Sequence, residues 1–290
     1  MKTPGVSIFS RLLVAFLGGV IVISGLLTEV FYVFSAGARG QQVDERLLQQ
    51  LVSIDQSIRY QFGETLRRDL SVLAANPLLD EFIMSPHIEK EILSKSVERL
   101  FLQALAYTPS YQSVAFVNAL GNEEVRVDRA GRVRIYRSLR NDPLFEQLRS
   151  GAQHAIASVG PYVRDDGEVL CTIGIQKIDG DIGKFGGAVI VTYNLQDFFA
   201  YLDKRRIFGE QTIWVFGPTG EVLRQPPAGP GTFDPRPFLS PSLQLSPHVR
   251  SVAAGRLAYQ DWFLGPRAPQ IRVAISVSSA LVLKDIGLAK

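Results

Sequence analysis

The sequence predicts an α+β protein: an N-terminal transmembrane helix, a long stalk helix above it, and two tandem modules built on antiparallel sheets. Three observations lead there. Leu12–Thr28 carries no charge, and after Glu29 the apolar character resumes to Phe34. From Val43 to Leu73 an apolar residue recurs every three or four positions. Beyond Tyr111, short β-favouring runs alternate with turns rich in Gly, Asp and Pro.

A bilayer-crossing helix needs about 20 mainly apolar residues, and residues 12–34 meet that length. Lys2 and Arg11 precede the run, so the positive-inside rule places residues 1–11 in the cytoplasm and the remainder outside. In a Gram-negative cell this is an inner-membrane protein with a periplasmic main domain. A cleaved signal sequence has a shorter apolar region of roughly 7–15 residues.

From about residue 38 the stripe Val43, Leu47, Leu51, Ile54, Ile58, Phe62, Leu66, Leu70 and Leu73 predicts a helix that Asn76-Pro77 ends. The stripe could pack on its own domain, on a second copy of the chain, or on both. A further helix follows Pro86, with Ile88, Ile92, Leu93, Val97, Leu100, Phe101, Ala104 and Leu105 on one face, until "TPSY" breaks it. "SVAFVNALGNEEVRVD" reads as a hairpin turning near Gly121. "HAIASVGPYV", "EVLCTIGIQKI" and "FGGAVIVTYNL" are strands, and "QDFFAYLDKRR" is a short helix. "TIWVFGPTGEVLRQ" repeats the first hairpin, with Gly220 standing 99 residues after Gly121, which suggests two related modules. Seven prolines between Pro226 and Pro247 demand irregular loop. "GRLAYQDWFL" and "QIRVAISVS" supply the closing strands, and "SALVLKDIGLAK" returns to a helical pattern.

Composition narrows the chemistry. The net charge is only +3 and the basicity is local: residues 125–140, "VRVDRAGRVRIYRSLR", hold six arginines against Asp128. With that stretch outside the cytoplasm and no nucleic-acid module present, nucleic acid is excluded as a partner. Cys171 has no partner for a disulfide and reads as a small buried hydrophobe on a strand. His87, His154 and His248 lack metal-ligand spacing. No G-x-S-x-G, H-E-x-x-H or P-loop occurs, and "GDIGKFGG" sits between strands rather than opening a helix. No catalytic residue, metal ligand or cofactor is predicted, and the chain does not read as an enzyme.

The order of elements, together with "SVAFVNALGNEEVRVDRAGRV", "NDPLFEQLRSG", "GEVLCTIGIQKIDGDIGKFGGAVIVTYNL" and "WVFGPTGEVL", resembles the double Cache (tandem PDC-type) sensor region of bacterial transmembrane receptors over about residues 38–281. The resemblance implies PAS-like modules, a membrane-distal one at 77–207 and a membrane-proximal one at 208–280. It also implies residues 281–290 opening a helix toward a second crossing and a cytoplasmic output domain (kinase, cyclase or chemotaxis type). It further implies a small-molecule ligand in the distal module and a homodimer through the long helix. The matching pocket region contains Arg134, Tyr136, Arg137, Arg140, Asp142 and Phe145. Arginine forks suit a carboxylate or another small anion. Alternating arginines also suit a solvated or charge-guarded strand, with Arg132, Arg134 and Tyr136 on one face. Amino-acid-binding members carry an arginine before an aromatic pair and a later aspartate. Here Asp142 and Thr192 fall at those places, so an α-amino acid is not the ligand implied. An anchored envelope protein that binds a protein partner without signalling is the alternative reading.

Overall fold

The computed structural model describes residues 8–132, 136–180, 183–206, 211–226, 233–263 and 270–279. The apolar N-terminal segment and the long helix are one continuous helix, α1 (Ile8–Ile58), without a break near residue 38. Its N-terminal part is long and apolar enough to cross a membrane and is wholly unpacked, with Phe16, Ile21, Leu27, Phe31 and Phe34 exposed.

Above the apolar run, α1 passes through a π-helical segment (Arg59–Thr65) into α2 (Leu66–Ala74). The stripe explains the π turns. Between Ile54 and Leu70 it steps by four residues each time, which on an α-helix swings the apolar face by about 160°. The wider π turns absorb this drift and return the stripe to one side. Leu47, Leu51, Ile54, Ile58, Leu66 and Leu70 are all buried in the chain's own main core. Of the open possibilities for the stripe, packing on its own domain is the one realised.

Asn76-Pro77 ends α2 and at once starts α3 (Pro77–Met84), an element the sequence analysis missed: the Asn76 carboxamide oxygen accepts the Leu78 N–H at 3.0 Å, capping the new helix. Helix α4 (His87–Tyr107) buries Val97, Phe101 and Leu105. Ile88 and Ile92, expected on that face, point to solvent at 84% and 70% exposure. At about 100° per residue they stand on the side of α4 opposite Phe101, while on the inner side Lys90 pairs with Glu124 at 3.3 Å, Leu93 packs on the core, and the buried stripe starts at Ser94.

The first sheet contains β1 (Tyr111–Asn118), β2 (Glu123–Asp128), β3 (Gly131–Arg132), β4 (Ile156–Val163), β5 (Val169–Ile178) and β6 (Phe185–Asn194), in the order β3-β2-β1-β6-β5-β4. Between β3 and β4 lies α5 (Pro143–Ser150), and after β6 comes α6 (Gln196–Lys204). The second sheet contains β7 (Thr212–Phe216), β8 (Val222–Arg224), β9 (His248–Val252), β10 (Gly255–Phe263) and β11 (Gln270–Ser278), in the order β8-β7-β11-β10-β9. All paired strands are antiparallel. The orders β2-β1-β6-β5-β4 and β8-β7-β11-β10-β9 are equivalent, so the modules are repeats. The opening hairpins agree in detail. Each has a register shift, at Phe116/Val117 and at Val215/Phe216. Each closes a left-handed glycine turn, Gly121 at φ 86° and Gly220 at φ 84°.

Each sheet has two occupied faces. In the first, Val114, Phe116, Val189, Val191, Cys171 and Ile173 face the helices α2, α3 and α4 in the main core. Cys171 is fully buried there, which pushes its thiol up to about 12. The opposite face carries α5 over Val117, Ala157, Ala188 and Ile190. In the second sheet the outer face is covered by the proline-rich loop, whose Phe233, Phe238 and Leu239 pack on Trp214, Phe216, Leu257 and Tyr259. Arg272 and Asp261 tie this loop down. Arg272 donates to the Asp261 carboxylate and to the carbonyls of Ser240 and Ser242, and Asp261 accepts the Gln244 N–H.

Candidate functional site

Strand alternation puts Ser113 and Ala115 of β1 and Ile190 and Thr192 of β6 on the α5 side of the first sheet. Arg126 lies opposite Ala115 in the β1–β2 register and joins them. The register shift at Phe116/Val117 turns Glu123 to the same side, where a regular strand would have pointed it into the core with Val125 and Val127. Between this face and α5 lies a cavity of about 230 Å³, walled by Ala115, Leu139, Leu144, Val159 and Ile190, with Glu123, Asp142 and the Thr172 hydroxyl also at its edge. Adjoining it is an outer chamber of about 420 Å³ lined by Gln112, Asp128, Arg129 and Arg164 among others. Ser113, Arg126, Arg137, Tyr162 and Thr192 border both chambers and form the waist between them.

Internal pairing decides which charges at the waist stay available. Glu123 is 6% exposed and accepts two donors, Nη1 of Arg126 at 3.0 Å and the backbone N–H of Arg137 at 2.9 Å. Asp142 spends one oxygen capping α5, accepting the Leu144 N–H at 2.8 Å. Arg126 is held through Nη1, while its Nε is buried without a hydrogen-bond partner. Among the described residues no side chain pairs with the Arg137 guanidinium. Ser113 donates to Thr192 Oγ1 at 3.0 Å, ordering the hydroxyl side of the waist. In the outer chamber, Arg164 is bound by Asp166 and Glu168, and Arg129 donates to the carbonyls of Thr108 and Pro109. The Arg164 hydrogen bond beside Asp166 holds that carboxyl below its ordinary range. The waist therefore offers an open guanidinium, a buried N–H and two hydroxyls beside a small apolar chamber.

Of the six residues selected from sequence, Arg137 and Asp142 line this cavity. Phe145 does not line it: the ring is fully buried behind the wall, edge-on to Phe185 at 5.7 Å. Tyr136 and Arg140 are exposed and border neither chamber. Arg140 contributes backbone instead, its Cα closing against Gly121 so tightly that a Cβ there would lie 2.7 Å away. Arg134 lies outside the described residues. The strand expected to place Arg132, Arg134 and Tyr136 on one face extends only to Arg132 among the described residues, and Tyr136 and Arg137 are in irregular chain. Ser113, Glu123, Arg126, Tyr162 and Thr192 were missed as a set because they come from four different strands.

The fold is that of tandem-module extracellular sensory domains. No family model matches the sequence, and no curated protein matches it. Among solved structures, the extracellular domain of a candidate histidine kinase superposes with a TM-score of 0.64 at 14% identity, over 86% of this chain and 96% of that one. A domain from Vibrio parahaemolyticus assigned to the sensory box/GGDEF family gives 0.64 at 15% identity, over 84% and 99%. The sensory domain of the Campylobacter jejuni chemoreceptor Tlp3, with isoleucine bound, gives 0.56 at 11% identity, over 86% and 98%. At these identities the likeness is one of fold.

Proposed function

We propose that this chain is the ligand-sensing region of a transmembrane signalling receptor. On this reading α1 anchors it in the inner membrane, both sheets lie in the periplasm, and the first module binds a small molecule with an anionic group. The observation that carries the reading is the waist of the cavity, where, among the described residues, the Arg137 guanidinium lacks a side-chain partner and Arg126 Nε is buried without one. That a fold neighbour holds isoleucine supports a metabolite-sized occupant. Because the apolar stripe is used inside the chain, side-by-side pairing of two copies would run along the other face of α1. There Gln42, Glu45, Gln49, Val52 and Gln56 are exposed at coiled-coil spacing.

The test is a thermal-shift screen of the full chain in lipid nanodiscs against small carboxylates, sulfonates and amino acids. A stabilising ligand whose affinity falls tenfold or more in Arg137→Gln is expected, since hydrogen bonds to a charged group contribute about 1.5–3 kcal/mol. A ligand that binds unchanged to Arg137→Gln and to Arg126→Gln would remove the anion assignment.

A further inference from the structure

Resting on that sensor reading, we infer that the distal site selects amphiphilic monoanions: one anionic group on a short, uncharged, apolar body. The waist and the inner chamber ask for different chemistry. At the waist, Arg137 and Arg126 Nε are the donors left over after internal pairing, beside the Ser113 and Thr192 hydroxyls. An anionic group there meets two guanidiniums. Beyond it, the inner chamber offers Ala115, Leu139, Leu144, Val159 and Ile190. At about 230 Å³ it is smaller than the roughly 300–1,000 Å³ of drug-sized pockets, so the body has only a handful of non-hydrogen atoms.

Two other ligand classes fit poorly. A second carboxylate in the inner chamber would meet apolar walls and the carboxylates of Glu123 and Asp142, with only the neutral Thr172 and Tyr162 hydroxyls to offset its desolvation. An ammonium group brings three donors. Both Glu123 oxygens are already engaged, Asp142 has given one oxygen to the α5 cap, and Thr192 already accepts from Ser113. The opposite orientation, with the body outward, would set an apolar group among Gln112, Asp128, Arg129 and Arg164.

A matched five-carbon series tests this by calorimetry on the full chain in nanodiscs, with valerate, norvaline, glutarate and valeramide, together with acetate and butyrate. Affinity should rise about fourfold per methylene from acetate to valerate. Norvaline and glutarate should bind at least about tenfold more weakly than valerate, each leaving a charge poorly matched, and valeramide should not bind. Ala115→Leu, which narrows the inner chamber, should weaken valerate more than acetate. Norvaline or glutarate equalling valerate, affinity flat with chain length, or no binding by any of the series would each overturn the inference. If norvaline or glutarate binds and Arg137→Gln abolishes it, the sensor reading stands while the monoanion class falls.

Discussion

Leu51→Ala tests the placement of the long helix. Leu51 is 0% exposed on the α1 stripe, within the main core. The substitution removes three carbon atoms, a transfer loss of about 2.4 kcal/mol at ~0.8 each. Incomplete collapse around the site adds a cavity cost, bringing the total to about 3–4 kcal/mol. At about 2–4 °C per kcal/mol for a chain of this class, Tm should fall by roughly 6–16 °C. Val52, one residue on, is 44% exposed, so Val52→Ala should change stability by less than about 0.5 kcal/mol. The assay is thermal unfolding of the full chain in detergent micelles at two protein concentrations a hundredfold apart. Intrachain burial requires the Leu51→Ala loss to be the same at both. A loss that grows on dilution would mean that Leu51 is covered by a second copy, and the assignment of the stripe to the chain's own core would be wrong. So would a larger loss for Val52→Ala than for Leu51→Ala.

Three further expectations follow from local geometry. Gly121 and Gly220 share a left-handed conformation, but a Cβ at Gly121 meets the Arg140 backbone at 2.7 Å while one at Gly220 meets nothing within 4 Å. Both alanine variants should lose about 1–2 kcal/mol for the backbone alone, and denaturant unfolding should show a larger loss for Gly121→Ala. Asp203 of α6 receives hydrogen bonds from Arg206 and from Arg224 of β8, which outweigh burial and hold its carboxyl below the ordinary value. A depressed folded value means that its stabilisation is present above the unfolded pKa near 3.8 and is lost as pH falls through the folded one. The Tm gap between wild type and Asp203→Asn should therefore be visible at pH 7 and close toward pH 3. Finally, Arg126, Arg129, Arg137 and Arg164 surround the outer chamber against Asp128. Association of valerate, followed by stopped flow, should slow about tenfold from low salt to 0.5 M, because screening shortens the field that steers anions. A rate insensitive to salt would show that these arginines do not steer entry.

The fold was legible where a local period announces it. The steps of Val43 to Leu73, the alternation of "SVAFV" and "AVIVTY", and the paired turn glycines each reflect a burial pattern that neighbouring residues share. What escaped were short elements and long-range pairings. Helix α3 was hidden because Asn76-Pro77 is at once the stop of one helix and the cap of the next. Strand β9 was hidden because its residues are mostly exposed and carry no apolar alternation. Ile88 and Ile92 stand four residues apart, but at about 100° per residue they fall opposite Phe101, so apolar character alone does not put them on the buried face. The site was half legible for the same reason. Arg137 and Asp142 announce themselves within one arginine-rich segment. Glu123, Arg126, Tyr162 and Thr192 converge only once β1 is seen to lie between β2 and β6, and Glu123 needs a register shift that no local pattern reveals.

The route from the cavity to α1 is short in covalent terms. Strand β6 carries Ile190 and Thr192 at the cavity and then runs through Asn194, whose side chain accepts the Gln196 N–H, into α6. At the far end of α6 the Tyr201 and Ser57 hydroxyls share a hydrogen bond, and the Arg205 carbonyl accepts from Gln50 Nε2 at 2.7 Å. The second module grips the same stretch of α1, with Trp262 Nε1 donating to Asp55 at 2.6 Å. The π turns begin immediately above, at Arg59. α1 is thus held by both modules over Gln50–Ser57, between its unpacked apolar run and the π-helical segment. On the proposed function, a ligand that prefers one position of β6 biases α6 and, through Tyr201, the seat of α1. A ligand indifferent to that position transmits nothing, however tightly it binds. Tyr201→Phe separates the two: ligand affinity at the cavity should be retained, while the ligand-dependent change in α1, read by a spin label at Val52, should shrink. An unchanged spectral response would exclude this joint as the link.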